Sequence, residues 1–151
     1  VAGLVRQLNA LDGESESALG FSIAGKINTV GKDDFRFQFH QGNLGRYVGV
    51  AAAKDLYSTM DTEGNITGYK AEESTSYMVA YRHFWNETTR STVLYGKVEG
   101  DVSNNERSQW GVNIFKDLTK NLSVGFEVGN FEMEELDRDS NYMQASMRYV
   151  L

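Results

Sequence analysis

An all-β, antiparallel up-and-down transmembrane β-barrel is the fold class this sequence predicts, on three observations. Val, Ile, Phe, Tyr, Trp and Thr recur in runs of period two, with no proline and 15 scattered glycines, which is the spacing of strands and not of helices. The connections between runs alternate between short polar turns and longer, mostly acidic segments, the asymmetry of barrels with turns on one side of a membrane and loops on the other. The chain ends on "YMQASMRYVL", with apolar or aromatic groups at every second position back from Leu151. A terminal barrel strand has that pattern.

The 151 residues, 40% of them apolar, make one domain, 1–151, with enough apolar content to fold. A net charge of -6 argues against a nucleic-acid surface, which needs a concentrated basic excess to neutralise phosphates. Without cysteine there is neither a disulfide framework nor a thiolate zinc site. No window approaches the ~18 apolar residues of a spanning helix, but barrel strands cross with only ~9 to 11 alternating residues. The chain opens at Val1 inside a strand-like run, "VAGLVRQL", and reads as a processed chain or a fragment.

Eight strands follow in order. Val1 to Asn9 alternates weakly, since Arg6 shares its parity with Leu4 and Leu8. Leu19 to Thr29 sets Phe21, Ile23 and Ile27 against Ser22, Lys26 and Asn28. After "VGKDD", Phe35 to Gln41 alternates most cleanly, with Phe35, Phe37 and Phe39 against Arg36, Gln38 and His40. Thr75 to Trp85 opposes Tyr77, Val79, Tyr81 and Trp85 to Arg82, and "NETTR" leads into Ser91 to Gly100, read with Leu94 and Val98 apolar and Lys97 and Glu99 polar. Gln109 to Phe115 carries Trp110, Val112 and Ile114 against Gln109 and Asn113; after "KDLTKN", Ser123 to Asn130 carries Val124, Phe126 and Val128 against Glu127. Tyr142 to Leu151 sets Met143, Ala145, Met147 and Tyr149 against Gln144, Ser146 and Arg148. The long connections are "LDGESESA", Gly42 to Ser74, "DVSNNERS" and "FEMEELDRDSN".

Alternation alone does not say which face meets water. In a soluble lipocalin-like barrel the apolar face is the core, and Trp110, Phe126 and Phe37 would enclose an apolar ligand. Loop asymmetry, the terminal strand, and Tyr81, His83 and Trp85 at a strand end beside a short turn, where an interfacial girdle belongs, favour the membrane orientation. Phe35, Phe37, Phe39, Trp110 and Tyr149 then face lipid.

At "GKDDFRFQFHQGNLGRYVG", preceded by "LVRQL" and followed by "YMVAYRHFWNETTRSTVLYGKVEGD", the chain resembles the DcaP-like family of outer-membrane porins, most strongly from Leu4 to Asp101. The resemblance implies the C-terminal half of a larger trimeric barrel in the Gram-negative outer membrane, without the family's N-terminal strands and periplasmic coiled coil. It also implies passive uptake of small anionic solutes such as dicarboxylates, and outer-membrane lipid and a homotrimer as partners.

On the parity reading the pore-lining groups are Lys26, Arg36, Gln38, His40, Arg82, Lys97 and Arg148, with Arg46 from the next segment, against Glu99 and Glu127. Focused positive potential in a low-dielectric channel concentrates anions, and arginine's fork suits carboxylates. The other reading of these arginines is pairing with nearby acids. Gly42 to Ser74 contains "VGVAAAKDLYSTM", expected as a short helix or an inward-folded constriction, with Asn43, Arg46, Tyr47 and Lys54 narrowing the pore. "DRDSN" lacks the glycine and distal glutamate of a calcium loop. His40 and His83 fall on opposite faces and no hydrolase or phosphate-loop motif occurs, so the expectation is a non-enzyme without cofactor or metal. A closed eight-stranded barrel with a structural or adhesive role is the second membrane reading, its interior filled by side chains.

Overall fold

A computed structural model describes residues 1–44 and 54–150. In chain order the strands are β1 (Ala2–Asn9), β2 (Ser15–Asn28), β3 (Asp34–Gly42), β4 (Leu56–Met60), β5 (Ile66–Ala71), β6 (Ser74–Phe84), β7 (Thr89–Gly100), β8 (Glu106–Asp117), β9 (Leu122–Met133) and β10 (Arg138–Tyr149). β4 and β5 form a separate hairpin; the other eight make one antiparallel sheet in the order β1-β2-β3-β6-β7-β8-β9-β10. β1 pairs only with β2 and β10 only with β9, so the sheet has two open edges and is not closed into a barrel.

Local chemistry sets the turns. Asp12 accepts the Glu14 N–H at 3.1 Å ahead of Gly13 at φ 94°, and Asn86 Oδ1 accepts the N–H groups of Thr88 and Thr89 at 3.0 and 2.9 Å. Thr119 Oγ1 does the same for Asn121 and Leu122 at 3.2 and 3.0 Å. Such side-chain acceptors mimic a backbone turn and fix the register of the strands that follow.

That register sorts the side chains. One cross-strand row runs Ile27, Phe35, Tyr81, Val93, Val112, Val128 and Met143, apolar from β2 to β10. A neighbouring row on the other face runs Gln38, Met78, Gly96, Gln109 and Phe131. β1 resolves with Leu4, Arg6 and Leu8 on this second, polar face, opposite Gly20, Ala18 and Glu16.

Burial is inverted relative to a soluble sheet. The buried strand residues, Ala18, Asp34, Ser74, Ser76, Ala80, Val98, Gly111, Ser123 and Gly129, all lie on the polar face. On the apolar face Trp110 is 45% exposed, Phe126 47% and Met143 76%. Small residues let large ones fold down on the sheltered side: Phe115 covers Gly125, Tyr142 covers the Gly111–Gly129 pair and Leu44 covers Gly20.

Four expectations are corrected. The sheet does not close, as stated. Lys97 pairs with Tyr77 and Glu99 with Thr75, which puts both on the apolar face, while Leu94 and Val98 stand opposite Ala80 and Ser76 on the polar one. Val93, Leu94 and Tyr95 are consecutive apolar residues that fit either parity, and the Asn86 turn selects Val93 and Tyr95. Within "VGVAAAKDLYSTM" Leu56–Met60 is strand β4 of the β4–β5 hairpin and not helix, while residues 48–53 of that stretch lie outside the described residues. The acidic connections also shorten, because backbone pairing carries the strands past the apolar band through Ser15–Ser17, Glu106–Ser108 and Arg138–Asn141; only the β3–β6 connection is long.

A Cβ on Gly129 would stand 2.3 Å from the Trp110 carbonyl oxygen, whereas one on Gly3 meets nothing within 4 Å. Gly129→Ala is therefore expected to cost about 1–3 kcal/mol and Gly3→Ala less than about 0.5 kcal/mol. Equilibrium urea unfolding of both variants in one solvent measures the difference.

Candidate functional site

The alternation that splits the sheet also splits two consecutive aspartates at the β2–β3 turn. Asp34, 1% exposed, opens β3 on the polar face. Its Oδ1 accepts Arg36 Nε at 2.7 Å; its Oδ2 accepts Arg82 Nε at 2.9 Å and a second, shorter bond from Arg82 Nη2. The Arg82 guanidinium lies 5.0 Å from the Phe84 ring centroid, within cation–π reach. Lys26 stands directly opposite Arg36, is exposed, and has no acidic partner among the described residues. Two cations thus share one carboxylate, with Lys26 beside them as a third, unpaired among the described residues.

Asp33 turns to the other side. It accepts Tyr81 Oη at 3.0 Å and the Phe84 N–H at 2.8 Å, and pairs with His83 Nδ1 at 2.6 Å. The His83 bond, with the Phe84 N–H after it, holds the Asp33 carboxyl below its ordinary value of 3.8. His83 meets Trp85 edge-on at 4.5 Å between centroids.

The middle of the polar face carries a neutralised network. Glu127 accepts Tyr142 Oη at 3.0 Å and Asn113 Nδ2 at 2.8 Å, and Gln109 Nε2 donates to Tyr142 Oη at 3.1 Å. Gln38 and His40 touch through their Nε2 atoms. Toward the far end Arg107 meets Glu135 at 2.9 Å and Arg6 meets Asp55 at 2.9 Å, and on the opposite face Lys97 meets Glu99 at 3.1 Å and Glu106, whereas Arg138 is exposed and without an ion pair among the described residues. A hydrogen bond with Glu106 raises the Glu134 carboxyl above its ordinary value.

Among the expected wall residues, the structure brings Lys26, Arg36 and Arg82 together and keeps Gln38 and His40 beside them on the polar face. Arg148 lies on that face opposite Ser123, exposed and without an ion pair among the described residues. Lys97 is removed to the other face. Asn43 is a brace: its N–H bonds the Leu19 carbonyl at 2.6 Å and its Nδ2 donates to the Glu72 carbonyl at 3.1 Å. Lys54 is exposed, 5.9 Å from the Tyr57 ring. Arg46 and Tyr47 lie outside the described residues. Phe35, Phe37, Phe39, Trp110 and Tyr149 share the apolar face.

Sequence reasoning missed Asp34, although the parity that placed Arg36 on the polar face places Asp34 there too. It also missed Glu72, 1% exposed, whose carboxylate accepts the N–H groups of Val102 at 2.8 Å and Ser103 at 3.1 Å. Comparison with protein-family models, curated proteins and solved structures gives no match to this chain.

Removing Asp34 leaves Arg36 and Arg82 without their shared anion. Asp34→Ala is expected to cost about 3 kcal/mol, read from unfolding midpoints against Lys32→Ala, which breaks an exposed turn pair with Glu87 and leaves the midpoint unmoved. Because the Asp33 carboxyl titrates lower folded than unfolded, the folded state binds fewer protons in acid. Its stabilising contribution is complete above the ordinary value of 3.8 and is lost as pH falls through the lower folded value; Asp33→Asn should flatten that acid limb of a midpoint-against-pH curve.

Proposed function

We propose that this chain is a wall of an outer-membrane β-barrel channel that passes small anionic solutes. The observation that carries the reading is the inverted burial: polar and small side chains are sheltered while the apolar row from Ile27 to Met143 is exposed at every position but the half-buried Phe35. In water an apolar surface of that extent is a liability. Against acyl chains it is the low-energy arrangement, with every backbone group between the edges paired in the ladder.

Charge along the strands supports the choice of solute. Lys26, Arg36, Arg82 and Arg148 gather toward the short-turn end with only Asp34 bonded among them. Glu99, Glu106, Glu134 and Glu135 crowd the opposite end. Selectivity for anions would therefore be set at the short-turn mouth, where positive potential meets low-dielectric walls. β1 and β10 run in opposite directions, so an even number of further strands closes the tube, in keeping with the larger trimeric barrel that the DcaP-like resemblance implies.

Adjacent residues of β10 test the orientation. Ala145→Lys places a charge on the proposed lipid face and is expected to cost about 2–4 kcal/mol of folding into vesicles, whereas Gln144→Lys on the wall is tolerated. Heat-modified gel mobility after refolding reads both, and equal effects would remove the membrane reading. In a salt gradient across a planar bilayer the reversal potential should show anion preference, reduced in Arg36→Ala and Lys26→Ala.

A further inference from the structure

The polar face is interrupted by an open pocket of ≈ 270 Å³, centred where Gly96 supplies no side chain. Leu94 and Val98, on either side of Gly96 along β7, line it with Met78 and Phe131 as apolar groups, and Gln38, His40 and Gln109 line it as neutral polar ones. Along the row Gln38, Met78, Gly96, Gln109 and Phe131 the strands step by about 4.8 Å, so the bare position leaves a slot between Met78 and Gln109. A Cβ there would meet only Tyr77 O at 3.5 Å and Met78 carbons at 3.8 Å. The slot is a real vacancy in side-chain packing, not a place where the backbone crowds.

Its chemistry points to an uncharged guest. The cation on its polar-face lining, Arg107, is already matched by Glu135, and Lys97, which borders the pocket from a position on the apolar face, is matched by Glu99 and Glu106. What remains is neutral hydrogen-bonding capacity beside apolar groups: the amide oxygens of Gln38 and Gln109 and the Nδ1 of His40, beyond the Gln38–His40 contact and the Gln109–Tyr142 bond. A site built to bond hydroxyl or amide groups discriminates strongly against partners that leave them unpaired.

We propose that this pocket binds a single aromatic ring bearing a neutral hydroxyl or amide group, the ring laid over Gly96 between Met78 and Gln109 and the substituent bonded to the neutral polar groups of the lining, Gln109, Gln38 and His40. The inference goes beyond the channel reading by adding a neutral ligand held on the face proposed to conduct anions, and rests on that reading only in requiring the polar face to be wet.

Phenol titrated into the full chain in detergent micelles, with ¹³C-methyl methionine as reporter, tests it. The Met78 resonance should shift saturably, while Met143 and Met147 on the apolar face report any partition into detergent. Gly96→Leu fills the slot and should weaken phenol at least tenfold with unchanged circular dichroism; Gly96→Ala, which adds one methyl at ordinary contact distance, should weaken it about threefold and covers the case of a leucine variant that misfolds. Benzoate should bind at least fivefold more weakly than phenol. Phenol affinity indifferent to both Gly96 variants, shifts confined to Met143 and Met147, or benzoate binding tighter than phenol would each overturn the proposal. Equal effects of Ala145→Lys and Gln144→Lys would sink the membrane reading without touching these outcomes.

Discussion

The backbone ladder, held in one register from β2 to β10, is the constraint on which everything else in this molecule depends. Side chains alternate with period two, so a slip of one residue anywhere would carry a whole strand to the wrong face. Turn side chains guard against that slip: Asp12, Asn86 and Thr119 each accept backbone N–H groups where a strand begins. With register fixed, a mixed sequence becomes two surfaces of opposite character. Neither surface is a core in the soluble sense, because the few buried side chains are mostly small or charged.

From that separation follows the placement of charge. Asp33 and Asp34 are neighbours in the chain yet serve different sides, one organising Tyr81 and His83, the other Arg36 and Arg82. The buried carboxylate of Asp34 is affordable only because two guanidinium groups supply its hydrogen bonds. Glutamates at the far end pair with Lys97 and Arg107, whereas Lys26 and Arg148 toward the short turns have no ion pair among the described residues.

Much of this was legible in the residues. The eight strands of the sheet were readable because Phe35, Phe37 and Phe39, or Trp110, Val112 and Ile114, alternate without interruption. Strand ends were not, since Ser15–Ser17 and Arg138–Asn141 pair through their backbones whatever their side chains. Lys97 was misplaced because three consecutive apolar residues erase parity. The β4–β5 hairpin was obscured by the alanine run before it, although "TEGN" is a turn signal. The wall arginines were visible, but the partner of Arg82 lies 48 residues away in sequence, and cross-strand neighbours at that distance leave no local trace.

The β4–β5 hairpin is fastened at its root and self-sufficient at its tip. Arg6 holds Asp55, Tyr69 Oη donates to Asp12 at 2.7 Å, and Glu72 gathers the backbone of Val102 and Ser103. The tip, by contrast, closes on itself: Asp61 accepts the N–H groups of Glu63 and Asn65, both at 2.9 Å, beside Gly64 at φ 88°. No bond from the tip reaches the large sheet among the described residues. A peptide grafted between Glu63 and Asn65 would therefore be displayed without tension reaching the strands, which makes this turn the natural address for a foreign epitope and leaves its sequence free to drift.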